Sequence, residues 1–530
     1  MSVEDVKSTL WNMANQLRGN MGADEYKNYI LAFMFYKYLS QKQEDYLLEN
    51  EMIEVKDGQT FDQAFQEQTS GEELDELVKY LTTRNGYAIE PQYTWSNIVR
   101  KVTDNEIIPS DFQDMFSAFY KNASLNEDAS KDFKNVFSDV NLGDSRLGTT
   151  TIDRAKSLIN IVNLVDGIQY KDENGKDVLG EIYEYLIGQF AANAGKKGGE
   201  FYTPHEVSMI LAGIVTSGQE ESNKAFKVFD PTCGSGSLLL TVGNALPGGN
   251  RPGAIKYYGQ ELNTSTYNLC RMNLMMHGVG FREMNLRNAN TLGPDWPDGI
   301  VDGLDHPDNT FDAVVANPPY SAKWNPGEEM MKDKRFKDYG KLAPKSKADY
   351  AFVLDGLYHL GNEGTMAVVL PHGVLFRGSA EEAIRKALIE KGQIEAVIGL
   401  PANLFYGTSI PTVIMVLKKN RTSKDIFFID ASQEFLKSKA KNTLTSENVE
   451  KILETYKNRK DVDRYAHLAT IEEIRENDYN LNIPRYVDTS EEAEEIDLDA
   501  LLKELDDIDA QIAEAQNEID DKLRILGVLK

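Results

Sequence analysis

Short apolar runs separated by helical patterns fill the middle of the chain. Six of them follow residue 170, and a weaker seventh lies near Met284 to Ala289. Such alternation is typical of βαβ units around a buried parallel sheet. The six runs are Phe226 to Phe229, Tyr257 to Glu261, Phe311 to Ala316, Thr365 to Leu370, Ile394 to Leu400 and Thr412 to Leu417. We therefore predict a doubly wound α/β sheet that binds its ligands beyond the carboxyl ends of the strands.

Helical patterns flank the predicted sheet on the N-terminal side. From Val6 to about Leu39 apolar residues recur at helical spacing, and Tyr29 to Leu39 is dense enough to be buried. The next hundred residues contain helical fragments such as Glu72 to Leu81 and Phe112 to Phe119, without the alternation of a sheet. The chain is predicted to comprise an N-terminal helical domain (1–165), a sheet domain (166–485) and a C-terminal helical tail (486–530).

The C-terminal tail has the pattern of a helix that packs on another helix. Between residues 491 and 530 there are fourteen acidic and four basic residues, so its polar face is negative. A narrow apolar stripe at the end of a chain favours an intermolecular coiled coil or bundle, and an ordinary packed terminal helix is the alternative. The stripe consists of Leu498, Leu501, Leu505, Ile508, Ile512, Ala515, Ile519 and Leu526.

Composition narrows the class of protein further. No run of eighteen apolar residues occurs in the 530-residue sequence, so no membrane-spanning helix is predicted. Two cysteines and a start without a secretory pattern favour the cytoplasm. The six histidines lack metal-ligand spacing, so no metal site is expected. A net charge of -27 repels a phosphate backbone, so any contact with nucleic acid needs a local basic region or a partner.

A glycine-containing turn follows the first predicted strand. The segment Phe226-Lys-Val-Phe-Asp-Pro-Thr-Cys-Gly-Ser-Gly-Ser-Leu-Leu-Leu240 places Asp230 at the strand end and two glycines before an apolar helix. Glycines allow close approach of a ligand to the backbone. The turn lacks the third glycine of a dinucleotide site and the lysine of a phosphate loop. Glu261 ends the next strand, the position from which a carboxylate holds ribose hydroxyls.

A second motif, Asn317-Pro-Pro-Tyr320, follows the strand Phe311 to Ala316. The Asn317 carboxamide oxygen and the Pro318 carbonyl can accept the two hydrogens of an exocyclic amino group, which leaves its nitrogen lone pair free. Tyr320 can stack on a flat ring. An Asn-Pro turn that merely closes a strand is the alternative.

These motifs resemble those of the S-adenosylmethionine-dependent amino-methyltransferases. With Ala192-Asn-Ala-Gly-Lys-Lys-Gly-Gly-Glu-Phe-Tyr-Thr-Pro-His205 and Leu342-Ala-Pro-Lys-Ser-Lys-Ala-Asp-Tyr-Ala-Phe352, the resemblance is to the modification subunit of type I restriction-modification systems. It extends to Trp11 to Ser40, Asn403 to Gly407 and the acidic terminal helix. The resemblance implies a Rossmann-like sheet and transfer of a methyl group to adenine N6 of DNA.

The resemblance also implies site residues. Those expected to act in catalysis are Asn317, Pro318, Pro319 and Tyr320. Those expected to contact S-adenosylmethionine are Glu200, Phe201, Tyr202, Thr203, Pro204, His205, Asp230, Gly234, Ser235, Gly236, Ser237, Glu261 and Asn290. Asn290 stands where many methyltransferases have an acid facing the adenine of the cofactor, and His205 fits a helix-capping or core role equally well. Cys233 is expected to be a packing residue, since cytosine C5 chemistry would need a Pro-Cys pair.

Contacts with DNA and partners complete the prediction. Residues 321–347 contain eight basic and four acidic residues, so Lys334, Arg335 and Lys337 are expected to contact phosphates around a flipped base; a solvated charged loop is the alternative. The chain contains no recognisable base-reading module. The resemblance implies double-stranded DNA, a specificity subunit, a second methyltransferase subunit and, for restriction, a motor-nuclease subunit as partners.

Two other functions remain open from the sequence. A stand-alone methyltransferase acting on RNA or on a protein glutamine would use the same Asn-Pro-Pro-Tyr motif. A non-catalytic assembly subunit would keep the fold without the reaction.

Overall fold

The computed structural model describes residues 11–12, 21–168, 178–193, 202–296, 310–405, 408–437, 441–489 and 498–529. The chain divides into two compact units, Met1–Val487 and Asp488–Lys530. Among the described residues, no helix has the length and apolar character needed to cross a bilayer.

Helices make up the described part of the chain before the sheet. Trp11 and Asn12 are helical, and α1 runs ten residues past the predicted end at Leu39; the other residues before Met21 lie outside the described part. The dense stretch from Tyr29 to Leu39 is buried, as predicted. The helices are α1 (Ala23–Glu49), α2 (Phe61–Gln68), α3 (Glu72–Asn85), α4 (Trp95–Thr103), α5 (Pro109–Ala123), α6 (Glu127–Phe133), α7 (Thr151–Asp166) and α8 (Leu179–Asn193).

The N-terminal helices and the sheet share one continuous core. The Tyr38 hydroxyl of α1 donates to the Met275 carbonyl at 3.0 Å. The buried Arg271 guanidinium donates to the carbonyls of Asp132 at 2.8 Å and Lys134 at 3.0 Å, which end α6. Met275 and Arg271 both lie on a helix that packs against the sheet, so these bonds fix the helical part of the chain to it.

A nine-stranded sheet follows, in the order β3-β2-β1-β4-β5-β7-β6-β8-β9. Strands β3, β2, β1, β4 and β5 are parallel, and β7 runs antiparallel between β5 and β6. The strands are β1 (Phe226–Asp230), β2 (Ile255–Glu261), β3 (Met284–Asn288), β4 (Phe311–Ala316), β5 (Leu360–Pro371), β6 (Ile394–Gly399), β7 (Thr412–Leu417), β8 (Ile426–Asp430) and β9 (Ala466–Ala469).

All seven predicted strands are present, and the doubly wound fold is confirmed. The last two strands were not predicted. β8 pairs parallel with β6, and β9 closes the edge antiparallel to β8. β9 is only four residues long and two of them are half-buried, so it lacks the buried apolar run on which the prediction rests.

Helices cover both faces of the sheet, and alternate strand residues face them. Val228 and Val315 join the core shared with the N-terminal helices, whereas Phe229 and Val314 join the core on the opposite face. The helices of this part are α9 (His205–Val215), α10 (Ser237–Ala245), α11 (Thr264–Met276), α12 (Asp349–His359), α13 (Ala380–Glu390), α14 (Ser446–Asn458) and α15 (Ile471–Glu476).

The second unit contains the helix α16 (Leu498–Ile525), close to the bounds that its apolar stripe predicts. Seven residues of the stripe are each at least 50% exposed: Leu498, Leu501, Leu505, Ile508, Ile512, Ile519 and Leu526. Within the described part of this unit, α16 is the one regular element, so the stripe has no partner helix inside its own unit.

Candidate active site

The turn after β1 is built from glycine geometry and a buried carboxyl group. Asp230 ends β1 and is 2% exposed, and its Oδ1 accepts from the Thr232 amide at 2.9 Å. Gly234 and Gly236 have φ of 54° and 80°. A Cβ on Gly236 would lie 2.5 Å from a Leu274 methyl carbon, so both conformation and packing require glycine there.

Glu261 joins the end of β2 to this turn. Its Oε2 accepts from the Gly234 amide at 3.1 Å and its Oε1 from the Asn263 amide at 2.8 Å. β2 lies beside β1 in parallel, with Asp230 opposite Gly259. The carboxylate therefore holds the glycine turn in place.

Asn317 follows β4, which is the neighbour of β1 on its other side. Its Nδ2 donates to the Thr203 hydroxyl at 2.9 Å, and its Oδ1 accepts from the Tyr320 hydroxyl at 2.9 Å. Burial, followed by the charge of Asp349, raises the pKa of Tyr320 well above its usual value, so the phenol keeps its proton. The Tyr320 ring also meets the Phe405 ring edge-on, with centroids 6.0 Å apart.

The glycine turn and the strand-end amide open onto one cleft. Strand order reverses between β1 and β4, which is where ligands bind in doubly wound sheets. The residues that line the cleft are Tyr202, Thr203, Asp230, Thr232, Cys233, Gly234, Ser235, Ser237, Leu238 and Asn317. Burial raises the pKa of Asp230 to about 7, and nearby Glu261 adds to the rise. This buried carboxyl group lines the cleft, and a cationic ligand group in the cleft would stabilise its ionised form.

The remaining predicted cofactor residues fall at different places. Glu200 and Phe201 lie outside the described residues. Pro204 occupies the N-cap position of α9, and His205 is its first residue. Asn290 is exposed, its Oδ1 accepts from the Leu292 amide at 3.2 Å, and it is not among the residues described as lining the cleft.

The two cysteines are packed against each other. Their sulfur atoms are 3.8 Å apart, and both side chains are buried. The contact with Cys270, followed by burial, raises the pKa of the Cys233 thiol well above its usual value, which disfavours the nucleophilic thiolate. A packing role for Cys233 agrees with this environment.

Asp349 and Arg377 had no role assigned from the sequence. Asp349, fully buried at the start of α12, accepts from the Ser321 amide at 2.8 Å and pairs with Arg377 at 3.1 Å. Ser321 directly follows Tyr320 and has a φ of 52°, so this bond stabilises an unusual backbone conformation. The sequence feature that could have indicated Asp349 is an acid at the start of a buried helical run, within the segment Leu342 to Phe352.

The structure contradicts one predicted phosphate contact. Arg335 is 3% exposed and forms ion pairs with Asp355 at 2.9 Å and Asp333 at 2.8 Å. It also donates to the carbonyls of Thr291 at 2.9 Å and Gly293 at 3.0 Å. Its buried guanidinium therefore binds groups of the protein and does not reach a DNA phosphate. A count of the charges in residues 321–347 does not show which basic side chain is buried. Lys337 is exposed and Lys334 is half-buried.

The sheet and site first define a class. The fold is that of a class I methyltransferase, here preceded by helices. Its features are a doubly wound sheet with β7 reversed between β5 and β6, a glycine turn after β1, an acid at the end of β2 and Asn-Pro-Pro-Tyr after β4.

Comparisons with known proteins identify the family. The chain matches the N-6 DNA methylase family over residues 174–495 and the HsdM N-terminal domain over residues 6–165. It therefore belongs to the N-6 DNA methylase family, as a methylase subunit of a type I restriction-modification system and an adenine-specific DNA methyltransferase.

Individual relatives agree with this assignment. The chain is 38% identical to the type I restriction enzyme MpnII methylase subunit of Mycoplasma pneumoniae, over 99% of this chain and 96% of that one. It is 32% identical to the MjaVIII methylase subunit of Methanocaldococcus jannaschii, over 90% and 77%. The crystal structure of a type I restriction-modification methyltransferase subunit from Streptococcus thermophilus superposes with a TM-score of 0.83 at 44% identity, over 92% of this chain and 100% of that one.

Proposed function

We propose that this chain transfers a methyl group from S-adenosylmethionine to N6 of an adenine flipped out of duplex DNA. The observation that carries the proposal is the common cleft, in which Asn317 and the glycine turn at Gly234 face the same space. A base within a duplex cannot reach a cleft of this kind, so the adenine must leave the stack, at a cost of a few kcal/mol.

The cleft fits S-adenosylmethionine on two counts. Asp230 is a buried carboxyl group whose pKa is raised, so a cationic amino group would stabilise its ionised form. A Cβ on Gly234 would meet nothing closer than the Thr232 carbonyl oxygen at 4.0 Å, so the glycine leaves open space beside the cleft. In this proposal Asp230 and the turn 234–237 hold the methionine part and Glu261 holds the ribose.

Further predicted contacts come from residues 200–205, which lead into α9. Tyr202 to His205 would lie against the methionine and ribose part of S-adenosylmethionine, and Tyr202 and Thr203 are among the residues that line the cleft. When bound, S-adenosylmethionine supplies an electrophilic methyl group.

The protein contributes positioning and electrostatics to the reaction. Asn317 Oδ1 and the Pro318 carbonyl accept the two hydrogens of the adenine amino group, which leaves its lone pair directed at the methyl donor. Pro318 and Pro319 stiffen this turn, and the Tyr320 ring stacks on the base. A strong base is not required, because the amino nitrogen loses its proton after it has gained the methyl group.

A separate specificity subunit is proposed to choose the target sequence. In α16 the apolar positions 498, 501, 505, 508, 512, 515 and 519 alternate in spacings of three and four, the repeat of a coiled-coil seam. We infer that this seam packs on helices of the specificity subunit. Two methyltransferase subunits would then assemble on the DNA in the cytoplasm, and a motor-nuclease subunit would join for restriction.

Lys334 and Lys337 are proposed to contact phosphates next to the flipped base. Both lie in the segment after Tyr320, and Lys337 is exposed. Phosphate contacts position a protein on DNA without reading its sequence, which agrees with a separate source of specificity.

Mapping of methylated bases tests this function. DNA from cells that express the chain with its specificity subunit is expected to carry N6-methyladenine at one bipartite sequence, and DNA from cells that express the chain alone is not. Methylation without the partner, or none with it, would contradict the proposal; methylation of RNA or protein alone would support the other substrate classes.

A further inference from the structure

The catalytic amide lies in the middle of a chain of three side chains. Thr203 Oγ1 accepts from Asn317 Nδ2, and Asn317 Oδ1 accepts from the Tyr320 hydroxyl, both at 2.9 Å. Thr203 comes from the segment just before α9, 114 residues away in sequence, whereas Tyr320 belongs to the same turn as Asn317. Both ends of the carboxamide are therefore held in the protein without DNA.

We propose that Thr203 is a positioning residue that accepts from Asn317 Nδ2 and so holds the carboxamide in place while its oxygen faces the target base. The inference rests on the proposed function and adds a role for the Thr203 hydroxyl that contact with the cofactor does not require. A carboxamide has an acceptor end and a donor end. Rotation by 180° would turn the Asn317 amide hydrogens towards the adenine amino group, where donor would meet donor.

The two partners of Asn317 differ in what happens when the base enters. The adenine amino group would donate to the same Asn317 oxygen that accepts from the Tyr320 hydroxyl, so these two donors share or exchange one acceptor. The bond to Thr203 lies at the other end of the amide and remains available. Thr203 therefore provides the acceptor for Nδ2 in the productive orientation, and its loss leaves a donor unsatisfied in that orientation.

Contact with the cofactor and orientation of Asn317 are two roles of Thr203 that measurement can separate. Thr203 and Asn317 both line the cleft with Asp230 and Gly234. A contact with the methyl donor would be reflected in cofactor affinity. Orientation of Asn317 would be reflected in the rate of methyl transfer at saturating cofactor, because misdirection of a catalytic group by a small angle costs rate.

The experiment compares hydroxyl-free variants with a conservative one. Thr203→Val keeps the shape and removes the hydroxyl, Thr203→Ala is a second hydroxyl-free variant in case the valine variant does not fold, and Thr203→Ser keeps the hydroxyl. The matched control is Thr216→Val, since Thr216 lies at the other end of α9 and its hydroxyl donates to the Ala212 carbonyl. Each chain is assembled with its specificity subunit, and single-turnover formation of N6-methyladenine is measured at saturating cofactor and DNA.

We expect Thr203→Val to slow methyl transfer by about 10- to 100-fold, while the Kd for S-adenosylmethionine changes by less than about threefold. Thr203→Ser should restore the rate to within about threefold, and the control should match the wild type. A wild-type rate for the hydroxyl-free variants, a serine variant as slow as valine, or a loss confined to cofactor affinity would overturn the role of Thr203. If the wild-type complex forms no N6-methyladenine, the proposed function and the role of Thr203 both fail.

Discussion

Asp230 is the residue of the cleft whose charge state should respond to pH. Its folded-state pKa is about 7, raised chiefly by burial, so lowering the pH adds a proton to the group that would hold the cationic part of S-adenosylmethionine. Binding to the ionised form must then displace this proton, and affinity falls by up to tenfold for each unit below the pKa.

Calorimetry at two pH values tests this property of Asp230. Between pH 7.5 and pH 5.5 the affinity for S-adenosylmethionine should fall by roughly tenfold or more. Asp230→Asn, which cannot titrate, should bind weakly at both pH values. Equal affinity of the wild type at the two values would show that Asp230 does not hold the cation.

Single residues divide into those that sequence reasoning could find and those it could not. Asp230, Glu261 and Asn317 each end or follow a buried strand, and parallel strands bring such positions to one edge. The bond between Thr203 and Asn317 joins segments 114 residues apart, and no local pattern encodes it. The burial of Arg335 likewise depends on Asp355 in α12, which a count of local charges does not include.

At the scale of elements, the segment between β4 and α12 combines a fixed part with an exposed part. Arg335 attaches the segment to the carbonyls of Thr291 and Gly293 and to Asp355 of α12. Lys337 begins a short 3-10 turn, Lys337–Tyr339, and is exposed. Neighbouring basic residues should therefore have separable effects on stability and on DNA binding.

Paired substitutions test this division of roles. Lys334→Gln with Lys337→Gln should reduce the slope of log K against log salt by about 0.9 for each phosphate that the variant no longer neutralises. Arg335→Gln should instead lower the free energy of unfolding by about 3 kcal/mol, because it leaves the buried Asp355 unpaired. Salt titration of DNA binding by the assembled complex and denaturation of the subunit are the measurements. An unchanged slope in the lysine variant would count against phosphate binding by these two side chains.

Continuous burial helped to predict the strands but did not guarantee it, because β8 is a buried apolar run and was still missed. β4 and β7 have the predicted bounds because each is a continuous buried run. β9, at the antiparallel edge with two half-buried residues, gives no such signal. α1 continues to Glu49 past its dense apolar stretch, and the ends of helices are weakly encoded when polar residues continue the helix.

At the scale of the whole molecule, assembly is expected to depend on the second unit. α16 has a heptad seam of apolar residues and an acidic polar face. Because unit Met1–Val487 contains the sheet and the cleft, removal of the tail should spare the folding of the methyltransferase part.

Truncation and point variants test the seam. Deletion from Glu491 onward, or Leu505→Asp with Ile512→Asp, should abolish co-purification with the specificity subunit, since charges in a coiled-coil seam oppose pairing. Asp507→Ala with Glu514→Ala, on the polar face away from the seam, is the matched control and should assemble normally. Retention of the partner by the truncated chain would refute the role of α16.

The most direct test of the account is methyl transfer by Asn317→Ala. The assembled complex, given S-adenosylmethionine and target DNA, should lose N6-methyladenine formation by at least about 100-fold, while cofactor affinity stays within about threefold of the wild type, because the amide is proposed to contact the base rather than the cofactor. Turnover at the wild-type rate would contradict the account, since the strand-end amide would then have no part in the reaction.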